Sequence, residues 1–247
     1  MNTETRWTLP TADGKTIYGL KNTAGEGAKA AIIIVHGLTG HMNEYAFKRA
    51  SDYFPEHGYD VYRFNLYDGN DNARHLVDCT LQTHADDLST VIDHVAPQYE
   101  KAFLVGHSYG GPTVMLNPRL QAAAISLWDP SFDLKAVHEA FESNYKPLTG
   151  FYCLNWGTTR LIGEAMYNHA HTLDEAACSA LAESNPVPLQ VVMAGEGYYV
   201  NKPLNYDSFG SALNRRDVVK GTVHCFYEGQ SCEELLAKTH NWFMSFK

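Results

Sequence analysis

Positive charge is scarce in this sequence. Its 247 residues carry 19 lysines and arginines against 28 aspartates and glutamates, a formal net charge of −9, and the basic residues form no run. Phosphate backbones are bound by clustered cations, so the composition argues against a nucleic-acid partner. No stretch approaches the roughly 18 apolar residues of a membrane-spanning helix. The opening MNTETRWTLP lacks the basic-then-apolar order of a secretory signal. Cysteine is sparse: Cys79, Cys153, Cys178, Cys225 and Cys232 are odd in number and scattered, with no CxxC spacing. They read as reduced thiols of a cytoplasmic protein. No metal and no cofactor is expected; His169 and His171 are two apart and do not share a helix face. Internal repeats and low-complexity tracts are also missing.

Apolar residues are plentiful, at 45%, enough for the core of one domain of the larger α/β kind. An Asp13-Gly14 turn predicts an opening hairpin. KAAIIIVHG, a β-branched run ending at Gly37, reads as a strand buried on both faces. A helix with Phe47, Ala50 and Phe54 inward follows, then the strand YDVYRFNL. Leu81, His84, Leu88, Val91, Ile92 and Val95 recur at helical spacing up to Pro97. KAFLVGH, AAAISLW, VPLQVVMAG and DVVKGTVHCF are further strands, and Ser231 with Glu234 forms a capping-box pattern before a last helix. This alternation predicts a mostly parallel sheet flanked by helices. It breaks over residues 131–186, which show helical patterns, one of them capped by Thr172 and Glu175, and no good strand. That stretch, rich in Phe141, Tyr145, Trp156 and Tyr167, reads as an inserted helical cap; residues 1–130 and 187–247 form the core domain.

Within LVGHSYGG, Ser108 stands between Gly106 and Gly110, at the end of a strand and the start of a short helix. A sharp strand-to-helix turn pushes such a serine hydroxyl outward, and the flanking glycines permit the tight crossing. A tetrahedral intermediate then needs donors for its oxyanion. The backbone N–H of Tyr109 is one, and that of Leu38, in VHGLTG, is placed to be the other. His36 reads as a residue that bonds loop backbone.

HGLTG, GHSYGG and TVHCF followed by a helix resemble the α/β-hydrolase superfamily. DGKTIYG and the cap resemble its cinnamoyl-esterase and monoglyceride-lipase-like branches. The resemblance covers nearly the whole chain except the cap. It implies hydrolysis through an acyl-enzyme, with His224, after the last strand, as base. Serine at the turn argues against dehalogenase or epoxide-hydrolase chemistry, which uses aspartate there. The acid departs from the commonest pattern. It would fall near Gly197 or Tyr198, neither of which can hold an imidazolium. Glu196 is a residue or two early, Asp207 lies further along the loop, and Asp217 lies about 20 Å from His224 along an extended strand. Asp129, in LWDPSF at the carboxyl end of the strand after the nucleophile's own, is the better candidate; the pancreatic-lipase family places its acid at a similar Asp-Pro. The expected function is a serine carboxylesterase for small to medium acyl or aryl esters. A thioesterase, a lysophospholipase or a non-catalytic binding protein on the same fold are the alternatives.

Overall fold

The run AAIIIV supplies the centre of the molecule. The computed structural model describes residues 3–117, 120–156, 158–200 and 214–247. Every residue of β3 (Ala30–Val35) is buried. Successive side chains of a strand face opposite sides of its sheet, and the two faces carry separate cores. Ile32 and Ile34 pack in one cluster with Phe47, Phe54 and Phe243, while Ile33 and Val35 pack in the other with Leu88, Ile92 and Val114.

β1 (Thr3–Pro10) and β2 (Thr16–Thr23) form the opening hairpin, and β2 pairs antiparallel with β4 (Tyr59–Phe64). From β4 onward neighbouring strands are parallel: β3, β5 (Lys101–His107), β6 (Ala124–Trp128), β10 (Leu189–Ala194) and β11 (Asn214–Val219). The order across the eight-stranded sheet is β1-β2-β4-β3-β5-β6-β10-β11. One face is covered by α1 (Tyr45–Glu56) and α7 (Ser231–Met244), the other by α2 (Leu81–Val95) and α3 (Gly110–Met115). The expected mostly parallel sheet between helices is thus present.

Residues 131–186 leave the sheet between β6 and β10, and here the helical expectation needs correction. Helices α4 (Leu134–Ala140), α5 (Glu164–His171) and α6 (Glu175–Ser184) are joined by a three-stranded antiparallel sheet. Its strands are β7 (Tyr145–Leu148), β8 (Phe151–Trp156) and β9 (Thr158–Gly163). Leu148 pairs with Phe151 across a two-residue turn in which Gly150 takes φ 78°. Aromatic and β-branched residues favour strands, so the aromatics of this stretch belong to β structure as much as to helix.

Three smaller expectations also change. The final strand ends at Val219; Lys220 and a left-handed Gly221 (φ 69°) turn the chain, so His224 lies in a loop. Ser231 begins α7 rather than capping it, and Gln230 is the N-cap. Asp174, not Thr172, caps α6 by accepting from the Ala177 N–H at 2.9 Å.

Candidate active site

The chain turns from β5 into α3 at Ser108, which takes a left-handed φ of 56°. That region costs an L-residue roughly 1–2 kcal/mol. Two backbone bonds oppose the cost: the Ser108 carbonyl accepts from Gly111 N–H at 2.9 Å and from Ser131 N–H at 3.0 Å. The loop after β3 packs directly on this turn. A Cβ built on Gly37 would lie 2.8 Å from the Ser108 Cβ, so only glycine lets the loop approach so closely. His36 holds that loop from below. Its Nδ1 meets the Gly37 carbonyl at 2.8 Å, so Nδ1 donates and Nε2 accepts from the Leu66 N–H at 3.0 Å. Both ring nitrogens are used, and burial lowers its pKa to about 4. Leu38 lines the same cavity as Ser108, and Tyr109 is the next residue in the chain. Among the described residues, neither backbone N–H donates to a backbone carbonyl.

Asp129 follows β6 directly, with φ 40° and its side chain fully buried. Its Oδ1 accepts from the Ala194 N–H at 3.0 Å, and its Oδ2 meets His224 Nδ1 at 2.6 Å. A carboxylate only accepts, so Nδ1 carries the proton and Nε2 keeps its lone pair. The structure therefore joins Asp129 to His224. It does not join Glu196, which is exposed. Asp217 is engaged elsewhere, with Gln190 Nε2 at 2.6 Å and Arg215 Nε at 2.7 Å. Asp207 lies outside the described residues. Gly197, where the resemblance places an acid, lies against this carboxylate: a Cβ there would be 3.2 Å from Asp129 Oδ2. The carboxylate arriving from β6 thus crowds the point at which a side chain at 197 would start.

Four further polar residues at this centre carried no signal in the sequence reading. Ser108 Oγ lies 3.2 Å from Ser131 Oγ, which lies 2.7 Å from the Tyr199 hydroxyl. His107 Nε2 donates to the His224 carbonyl at 2.9 Å, and the two rings lie tilted with their centres 4.7 Å apart. Burial pushes His107 down to about 3, so the ring is neutral at ordinary pH. Glu44, 4.0 Å from His107 Nδ1, is pushed up by burial to about 7.

Ser108, Leu38, His107 and His224 open into a cavity of about 740 Å³. Its far wall comes from the inserted segment and the loop after β10: Val137, Phe141, Trp156, Arg160, Tyr198 and Tyr199. Phe141 and Tyr198 meet at 5.0 Å between ring centres. An apolar space with a few convergent polar groups is the usual form of a small-molecule site. Among the described residues no His, Cys, Asp or Glu group is arranged to hold a metal, and no helix is long and apolar enough to cross a membrane.

Comparison with known proteins agrees with this architecture. A family model described as serine aminopeptidase, S33 matches residues 26–137, the span from the first central strand through the turn at Ser108 and into α4. No curated protein matches the chain in sequence. Solved structures do match in shape. Est1E from Butyrivibrio proteoclasticus with ferulic acid bound superposes with a TM-score of 0.78 at 17% identity, covering 97% of this chain and 98% of that one. GrgF, an alpha/beta hydrolase from Penicillium sp. sh18, gives 0.77 at 14% identity and 99% of both chains. The esterase domain of a Rhodothermus marinus protein gives 0.73 at 16% identity, again over 99% of both. With its sheet order, its left-handed serine after β5 and these matches, the chain has the α/β-hydrolase fold.

Proposed function

We propose that the protein is a serine esterase that cleaves small to medium acyl or aryl esters through an acyl-enzyme. The observation that carries this reading is the 2.6 Å bond from His224 Nδ1 to the buried Asp129 carboxylate, in the cavity that Ser108 also lines. With Nδ1 so occupied, Nε2 accepts the Ser108 proton as Oγ attacks the ester carbonyl. The carbonyl electrons move to an oxyanion held by the Leu38 and Tyr109 N–H groups. His224 then returns the proton to the leaving alcohol. A water attacks the acyl-enzyme by the same route, and Ser108 recovers its proton. Residues 131–186 act as a cap whose aromatic wall receives the acyl or aryl group. The esterase names of the structural neighbours favour an ester over an amide.

The test is covalent. A fluorophosphonate probe should label Ser108, and Ser108→Ala should keep the fold while losing on the order of 10⁴ or more in turnover. A panel of 4-nitrophenyl esters of increasing acyl length then defines the substrate. A chain that neither labels nor turns over any ester is a binding protein on this fold.

A further inference from the structure

The nucleophile has a second hydroxyl at its back. Ser131 Oγ lies 3.2 Å from Ser108 Oγ, and Ser131 has no exposed surface. Behind it the Tyr199 hydroxyl lies 2.7 Å from Ser131 Oγ, also buried. The backbone fixes this spacing, because the Ser131 N–H donates to the Ser108 carbonyl at 3.0 Å. Asp129 and Ser131 thus reach the centre from one turn after β6, one toward the base and the other toward the nucleophile.

The proton order along these hydroxyls follows from who can accept. The bond to Ser131 Oγ is the hydrogen bond the Tyr199 hydroxyl makes among the described residues, and burial holds its proton on by raising its pKa. Tyr199 therefore donates to Ser131. Ser131, having accepted, has its own proton to give, and Ser108 Oγ is the remaining partner. Ser108 accepts that bond, which leaves its own proton free for His224 Nε2. Hydrogen bonds in such a chain polarise one another.

We infer that Ser131 is a further catalytic residue and Tyr199 its positioning residue: the Tyr199–Ser131 hydroxyl pair donates to Ser108 Oγ and stabilises the charge that builds there. The inference rests on Ser108 being the nucleophile of the proposed esterase. No proton leaves either hydroxyl. In acylation the Ser108 proton moves to His224 Nε2 while the Oγ–C bond forms, and the Ser131 donation strengthens as Oγ becomes electron-rich. In deacylation the same bond breaks, Oγ leaves, and His224 returns the proton; Ser131 again meets the developing charge. The pair acts on Oγ rather than on the carbonyl oxygen, so it is separate from the oxyanion donors.

The experiment measures fluorophosphonate labelling rates at Ser108 and turnover of a soluble 4-nitrophenyl ester, for wild type, Ser131→Ala, Tyr199→Phe and the double variant. Labelling by Ser131→Ala should slow ten- to hundredfold, and kcat should fall in parallel with KM held within threefold. Tyr199→Phe, which keeps the ring, should slow labelling three- to tenfold. The double variant should match Ser131→Ala, because Tyr199 acts only through Ser131. The acid limb of the pH–rate profile should stay in place, since Asp129 and His224 are untouched; a merely structural role would move it by displacing His224. Labelling at the wild-type rate by Ser131→Ala overturns the inference, and so does faster labelling, which would make Ser131 a restraint on a resting serine. If Ser131→Ala does not fold, an unchanged rate in Tyr199→Phe overturns it. A wild-type chain that neither labels nor turns over an ester defeats the esterase reading itself, a different outcome from an active chain insensitive to Ser131.

Discussion

Replacing Asp129 by asparagine should be worse for turnover than replacing it by alanine. The reason lies in the other oxygen of the carboxylate. Oδ1 accepts from the Ala194 N–H at 3.0 Å, while Oδ2 meets His224 Nδ1 at 2.6 Å. An asparagine at this buried position keeps its oxygen on Ala194, where an acceptor is required, and turns its amide NH₂ toward His224. The amide donates, so Nδ1 must become the acceptor and the proton moves to Nε2. In that tautomer Nε2 has no lone pair for the Ser108 proton. Loss of the charge adds to this. Two unit charges about 4 Å apart at an effective dielectric of about 20 interact by about 4 kcal/mol, roughly a thousandfold in rate. Together the two effects should approach the ~10⁴-fold loss known for this change in serine-protease triads. Alanine removes the charge but leaves the tautomer free, so it should retain several-fold more turnover than asparagine. The assay is kcat on a soluble aryl ester, with circular dichroism and thermal melts to show that both variants fold. Equal activity of wild type and Asp129→Asn would refute the reasoning, and Asp129→Asn well above Asp129→Ala would refute the tautomer step.

Other outcomes follow from the same geometry. Gly37→Ala would bring a Cβ to 2.8 Å from the Ser108 Cβ; kcat should fall by about a hundredfold or more as the oxyanion donors shift, in line with losing one such donor. Burial holds the Glu44 proton on until about pH 7, against an ordinary value near 4.5. The folded state therefore keeps a proton that the unfolded chain has released, and stability should fall as pH rises across that window. Glu44→Gln should flatten the fall, by about 2 kcal/mol for this partly exposed group, as read from denaturant midpoints at pH 5 and pH 8. Soluble short-chain or aryl esters should be cleaved faster than emulsified long-chain triglycerides, because a cavity of about 740 Å³ is of ordinary small-ligand size; the reverse order would refute the proposed cap role. Finally, Gly197→Asp placed in an Asp129→Ala background should recover part of the lost turnover, whereas Gly197→Asp alone should impair it by crowding two carboxylates.

The sheet was legible because its strands carry their own signal. Ile32 to Val35 and Val191 to Met193 are β-branched or apolar without interruption, as strands covered on both faces require. The inserted segment was not, for an opposite reason: its strands are short and half exposed, and periodicity does not separate such runs from helix. The left-handed Gly150 is a local mark of the β7–β8 hairpin. At the centre, Ser108 announced itself through a local motif. Ser131 and Tyr199 did not, since their partnership spans 68 positions and depends on two turns folding against each other. His107 is next to Ser108 in sequence, yet its bond to the His224 carbonyl spans 117 positions.

The carboxylate of Asp129, the acid of the proposed mechanism, shows how one sheet edge can supply the same group from either of two strands. β6 and β10 are parallel neighbours, with Val192 beside Trp128 in the register. The chain therefore leaves both strands side by side at one sheet edge: Asp129 just after β6, and Gly195 to Gly197 after the last residue of β10, Ala194. The Asp129 N–H donates to the Val192 carbonyl at 2.8 Å, carrying the pairing one step past the strand, and the Ala194 N–H returns a bond to the carboxylate. His224 needs only one negative oxygen at Nδ1, and both turns can deliver it to the same point. Both doing so at once crowds the point, since a Cβ built at position 197 would lie 3.2 Å from Asp129 Oδ2. Glycine at 197 and aspartate at 129 are thus two halves of one choice. With the carboxylate supplied from β6, a small residue at 197 suits the later turn, and Tyr199, two positions on, reaches Ser131 Oγ with its hydroxyl at 2.7 Å.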